Sequence, residues 1–326
     1  MKILYAASNN QNAKIQLSRF LKAMEGSLHQ IKVAAYKTSS PKDINIDWTL
    51  DALLNIYRPD LLSLHNDNLS IYFEQVKNFS PDLVISDLEY FTSYIANELN
   101  ITLWQCSSSM INYALTGQEK YGLGLFKYHA HSLNRDAIHT QRTVNIIDNS
   151  NCNFVYSHYG DMKESPILQD GFEWIRPYHQ IAKDYVPCQH YMTAGLLNSD
   201  KRILNVLKKY PDSVAFVENK WETHENVIIK DIRIADEYYC NLRNSAFFVC
   251  QGQASFLADA FYNSKYTFIY PDFDDAESIT NSQLAHKLGT GRIVSYSDDI
   301  SSFIFNNVEP MCLDSIKYLH ERIGDL

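Results

Sequence analysis

Basic charge is what this chain most lacks. Its 326 residues carry 29 Lys and Arg against 38 Asp and Glu, a net charge of −9. Non-specific nucleic-acid binding draws its affinity from a basic surface, so the charge balance argues against that class of function. Paired cysteines are missing as well. The six Cys residues, at 106, 152, 188, 240, 250 and 312, show no C-x-x-C spacing and no zinc-like grouping with His. They read as free thiols in a reducing compartment. No apolar run reaches the roughly 18 residues that a membrane-crossing helix needs. The opening Met1 to Ala6 is too short and interrupted for the apolar core of a secretion signal. The expected setting is the cytoplasm. Tryptophan is rare, 4 residues against 22 tyrosines. Tyrosine joins apolar area to a hydroxyl and suits clefts and half-buried faces.

What is present is an alternation of short apolar runs and helix-spaced segments. "KILYA" (2–6) reads as a strand, followed by a polar loop and then Ile15, Leu17, Phe20, Leu21 and Met24 on one helical face. "IKVAAY" (31–36), "PDLVISD" (81–87) and "ITLWQC" (101–106) read as strands, with a helix over 90–100. The region 110–185 is less regular, with strand-like "NFVYSHY" and "FEWIRPYH". A Pro-containing junction near Asp184–His190 is the expected boundary, dividing the chain into 1–186 and 187–326. Beyond it strands at 213–219, 227–232, 246–250, 266–271 and 291–296 alternate with helices at 203–210, 235–244, 254–264 and 277–289. A last helix is expected in "CLDSIKYLHERI". This order predicts an α/β fold of two doubly wound, Rossmann-like halves.

In such sheets ligands bind beyond the carboxyl ends of the strands. "QGQASFLADAF" (251–261) lies where a strand turns into a helix. Gly252 allows the turn, and the helix start offers unpaired amides to a diphosphate. Gln253 sits within this turn, Ser255 adds a hydroxyl, and Asp259 shares its face four residues later. A carboxylate there would repel phosphate but suits a ribose diol. Glu277 and Asn281 repeat the i, i+4 arrangement on the next helix and suit sugar hydroxyls.

The stretch from Gln251 to Gly291 resembles the donor-binding signature of GT-B glycosyltransferases. It is most similar to the group of the lipid II N-acetylglucosaminyltransferase and the UDP-glucuronosyl and glucosyl transferases. Gly252, Ser255, Asp259, Pro271, Glu277, Asn281, Gly289 and Gly291 fill its positions, and 81–101 resembles a segment of the N-terminal domain. The resemblance implies an N-terminal acceptor domain and a C-terminal donor domain. It implies transfer of a hexosyl or pentosyl group from a nucleotide-diphosphate sugar, a UDP-sugar first, without a cofactor or a metal. The acceptor it implies is a small molecule, a glycan or a lipid-linked species ahead of DNA.

The chain departs from the pattern at Gln253, at Ser278 and at Asn12, which stands near a histidine of the relatives. Asp87 and Glu89 remain as catalytic candidates at the end of an N-terminal strand, with helix capping as their other reading. The departures keep two alternatives open: a non-catalytic nucleotide-sugar-binding protein, and a nucleotide-sugar hydrolase or epimerase on the same fold. His129, His131 and His139 read as polar surface or acceptor groove, and His158 and Asp161 as cleft candidates.

Overall fold

A computed structural model describes residues 1–9, 11–36, 40, 42–46, 67–116, 133–178, 192–196, 200–210, 212–217, 222–224, 227–232, 235–300 and 317–326. The chain divides into two compact units. One holds Met1–Ala114, Phe126–Val155 and Leu168–Glu173; the other holds Leu115–Leu125, Tyr156–Ile167 and Trp174–Leu326. The boundary expected at 186/187 lies outside the described residues.

The first sheet has seven strands: β1 (Lys2–Ala6), β2 (Gln30–Tyr36), β3 (Ile44–Ile46), β4 (Leu83–Ser86), β5 (Thr102–Ser107), β6 (Cys152–Tyr156) and β7 (Phe172–Ile175). Their spatial order is β3-β2-β1-β4-β5-β6-β7. Its helices are α1 (Gln11–Ala23), α2 (Asp67–Phe79), α3 (Tyr90–Glu98), α4 (Ile111–Ala114) and α5 (Leu133–Asp148). Strands β1, β4 and β5 run parallel, and nearly all their side chains are buried. That explains their unbroken apolar sequences, since a parallel strand covered on both faces has no solvent side.

The second sheet repeats the plan with β8 (Met192–Leu196), β9 (Ser213–Val217), β10 (Glu222–His224), β11 (Val227–Asp231), β12 (Phe247–Cys250), β13 (Thr267–Ile269) and β14 (Gly291–Ile293). The order is β10-β11-β9-β8-β12-β13-β14, with β10 antiparallel to β11 and the other pairs parallel. Its helices are α6 (Lys201–Leu207), α7 (Ala235–Asn244), α8 (Ala254–Tyr262), α9 (Ala276–Lys287) and α10 (Leu319–Gly324). The expected last helix is shorter than "CLDSIKYLHERI": it starts at Leu319. Elements that the sequence pattern does not announce include β3, α2, α4, α5, β8 and β10. The histidine-bearing stretch 127–142 runs partly into α5; His129 and His131 lie outside the described residues.

Each sheet has one point where the winding reverses. In the first it lies between β1 and β4, in the second between β8 and β12. Crevices at the carboxyl ends of such strand pairs are the ligand sites of doubly wound folds. The two candidate clusters from the sequence, Asp87–Glu89 and Gly252–Asp259, fall just beyond β4 and β12.

Candidate functional site

The second unit's site starts at the end of β12. Gly252 takes φ +88°, a left-handed conformation that glycine adopts without strain. A Cβ there would sit 2.7 Å from the Ser278 carbonyl oxygen and closer still to Ser282 Oγ. The turn therefore lies directly against α9. Ser278 holds it there: its hydroxyl donates to the Gln251 carbonyl and accepts the Asp272 amide at 2.8 Å. The residue that departs from the glutamine of the relatives is thus a clasp between the β12–α8 and β13–α9 turns.

Gln253 is the N-cap of α8 with no capping hydrogen bond from its side chain, so the first amides of the helix keep the partial positive charge of a helix start. Helix α8 is buried on every side, Ser255 and Asp259 included. The Asp259 carboxylate accepts the Tyr238 hydroxyl at 3.1 Å on one oxygen and the Tyr239 hydroxyl at 3.2 Å on the other. Both tyrosines come from α7, so Asp259 braces α7 on α8. With 0% exposure, it offers no open oxygen to a ribose in this arrangement.

Helix α9 begins with Asp275 as N-cap, its carboxylate accepting the Glu277 amide at 3.0 Å. Burial, reinforced by the Glu277 charge, pushes Asp275 up to about 7. Glu277 is buried in the first turn. Asn281 is fully buried, and neither its Nδ2 nor its Oδ1 has a hydrogen-bond partner; Oε1 of Gln253 and of Gln251 are in the same state. Buried polar groups are nearly always satisfied, because each orphan costs about 1–3 kcal/mol. Unpartnered atoms on Gln253 and Asn281 are therefore a sign of a missing ligand or water.

A short 3-10 turn, His158–Asp161, packs on α8 within the same unit. His158 lies near Tyr159 and Phe261, ring centroids 4.2 and 5.0 Å away, and burial depresses its basicity to about 3. Its imidazole is thus neutral. Tyr159 donates to the Asn281 carbonyl at 2.7 Å. Asp161 accepts a two-pronged ion pair from Arg176, at 2.9 and 2.7 Å, and a hydrogen bond from Tyr262. Neither His158 nor Asp161 lines an open surface; both are packed against the unit's core.

In the first unit, Asp87 and Glu89 have separate fates. Glu89 caps α3. Its oxygens accept the Phe91 amide at 3.1 Å, the Thr92 amide at 2.7 Å, the Thr92 hydroxyl and the Tyr36 hydroxyl. This is the capping reading, and it corrects the placing of Glu89 as an available catalytic group. Asp87 has no such task. Its amide extends the β1–β4 pairing by bonding to Ala6 O at 2.9 Å. Its buried carboxyl is hydrogen-bonded to Ser107, and desolvation pushes it up to about 7. Between them, Leu88 is held at φ +52°, which costs energy for a bulky residue. The strained turn is fixed by Ser86, whose Oγ bonds both the amide and the carbonyl of Glu89. Asn12 meets the end of the neighbouring strand: its Nδ2 donates to Ser108 Oγ at 2.8 Å, beside Gln16 at 2.9 Å.

Comparison with known proteins finds no matching family model and no matching curated protein. Solved structures do match. The chain is similar to the spinosyn forosaminyltransferase SpnP at 14% identity, covering 93% of this chain and 87% of that one, with TM-score 0.56. It is similar to the calicheamicin glycosyltransferase CalG4 at 12% identity, 90% and 85% coverage and TM-score 0.55. The Streptomyces sp. SF2575 glycosyltransferase SsfS6, in complex with thymidine diphosphate, matches at 13% identity, 90% and 87% coverage and TM-score 0.57. The fold is thus the two-sheet α/β fold of GT-B glycosyltransferases.

Among the described residues no helix is long and apolar enough to cross a membrane, and no group of three His, Cys, Asp or Glu could hold a metal ion.

Proposed function

We propose that this chain is a glycosyltransferase that takes its sugar from a nucleotide-diphosphate donor. One observation carries the reading: the start of α8, at the reversal point of the second sheet, lies beside buried polar atoms of Gln253 and Asn281 that lack partners. A diphosphate at the α8 amides is matched by the helix dipole. The Ser255 hydroxyl adds a donor in the first turn. Sugar hydroxyls supply both donors and acceptors, which is what the Asn281 amide is missing, and Glu277 in the first turn of α9 accepts a further hydroxyl. SsfS6 with thymidine diphosphate makes thymidine- and uridine-diphosphate sugars the first donors to test. The finer likeness to the lipid II and UDP-glucuronosyl group rests on the motif residues alone.

Asp87 serves as the base. A carboxyl near pH 7 at a strand end is poised for proton transfer. The acceptor oxygen bonds to the anomeric carbon and loses its proton to Asp87. The bond from that carbon to the diphosphate breaks, and its electron pair leaves with the nucleoside diphosphate. The α8 dipole and its amides stabilise the growing negative charge.

The test is a thermal-shift panel of UDP-, GDP-, dTDP- and CMP-sugars on the wild type, Asn281→Ala and Gln253→Ala. Ligand that binds the folded state raises the midpoint. A shift for one nucleotide class that shrinks in both variants supports the reading; no shift for any donor on a folded protein refutes it. The second reading, a binding protein without turnover, is favoured by the closed packing around α8. Donor binding with no release of nucleoside diphosphate on prolonged incubation would select it.

A further inference from the structure

We propose that Ser107 is a positioning residue for Asp87: its hydroxyl gives its proton to one carboxylate oxygen and so presents the other to the acceptor. The inference rests on the reading of Asp87 as the base, and deepens it.

The geometry begins at the end of β5. Ser107 is its last residue and is buried. Its Oγ accepts the Ser109 amide at 3.3 Å. A serine hydroxyl has a single hydrogen to give. With an N–H arriving at the oxygen, that hydrogen is directed to the group Ser107 also bonds, the Asp87 carboxylate. The neighbouring hydroxyl has a different task. Ser108 Oγ accepts from both Asn12 Nδ2 and Gln16 Nε2, which pins the β5–α4 turn to α1. Two adjacent serines thus fix the same turn from two sides, one toward α1 and one toward β4.

The groups around Asp87 leave this bond in control of its proton. Cys106 faces it from β5, and burial together with the Asp87 charge holds that thiol protonated, well above its ordinary range. Glu89, on the same turn, is tied to the start of α3. Asn12 and Gln16, on α1, are uncharged. Burial raises Asp87; the Ser107 hydrogen bond favours its ionised form and opposes that rise. Without the hydroxyl, Asp87 would hold its proton to higher pH and lose its orientation.

The experiment uses the full chain and two readouts. The first is the carboxyl carbon-13 resonance of Asp87 against pH in the ligand-free protein, assigned with Asp87→Asn. The second is release of thymidine diphosphate from thymidine-diphosphate glucose, with water as acceptor, against pH. Ser107→Ala is expected to move both midpoints up by about one pH unit, a tenfold change in proton affinity. Ser107→Thr, which restores the hydroxyl, is expected to return both. If neither midpoint moves while Asp87→Asn is inactive, the base reading stands and the role of Ser107 is overturned. If the resonance moves but Asp87→Asn keeps wild-type release, the base reading itself is overturned, and the positioning role with it.

Discussion

At the scale of single residues, three carboxylates of similar sequence setting have distinct tasks, and each is testable. Asp87 has a folded value of about 7 against an ordinary 3.8. Between those values the folded state holds a proton that the unfolded chain has lost. The stabilising difference is full below about pH 4 and is lost as pH rises through 7, by roughly 1.4 kcal/mol for each pH unit crossed. Asp87→Asn should flatten this part of the stability curve and make the protein relatively more stable at pH 8 than at pH 4; urea unfolding at the two pH values checks it. Glu89 is instead a cap. Glu89→Ala should lower stability by about 1–2 kcal/mol through the lost α3 cap, with donor binding unchanged by calorimetry. Asp259 is a brace. Asp259→Asn should weaken the α7–α8 contact and lower the melting temperature, while the relative affinities for ribose-bearing donors hold. A selective loss of those affinities would return Asp259 to the ribose.

The residue scale also shows what the sequence could not convey. Asp259 and Ser255 share a helical face, as the i, i+4 spacing requires, but spacing does not say what that face meets. Here Asp259 meets Tyr238 and Tyr239, on a helix that is legible in the sequence while its orientation is not. Ser278 reads as a lost amide in the motif; only the folded turn shows it bonding Gln251 and Asp272.

At the scale of elements, the apolar strands with strong β-forming residues were legible: β1, β2, β4, β5 and β12 lie where Ile, Val, Leu and Phe cluster. Strand β8 was not. "MTAGL" has few β-forming residues, and its Gly195 reads as a breaker. The reason for the glycine is tertiary: a Cβ there would lie 2.9 Å from the Phe256 ring and 3.0 Å from Phe248. The Gly252 turn follows the same logic. Gly252→Ala would need an unfavourable φ and would press on the Ser278 backbone, so removing Ser282 Oγ as well should not restore it. We expect a loss of about 1–3 kcal/mol or more by chemical denaturation, in both Gly252→Ala and the double variant with Ser282→Ala. The Asp161–Arg176 pair belongs to this scale too, tying the 158–161 turn to the segment after β7. Arg176→Met leaves a buried carboxylate with only Tyr262 and should cost about 3–5 kcal/mol.

At the scale of the whole molecule, the order of strands does more than any motif. Reversal of winding between β1 and β4, and again between β8 and β12, puts one candidate cluster at the mouth of each sheet. The alternation of elements made the doubly wound class legible. The reversal points were not, because they depend on which strands become neighbours, and β8 carries too weak a strand signal to be counted among them. The central claim is that the start of α8 receives a nucleoside diphosphate. Its most direct test is a nitrogen-15 titration of the full chain with thymidine diphosphate, following backbone amide resonances. The account predicts saturable changes led by Gly252, Gln253, Ala254 and Ser255, with Asn281 side-chain resonances moving alongside. Saturable binding that leaves these amides unmoved, or no binding at millimolar ligand, would contradict it.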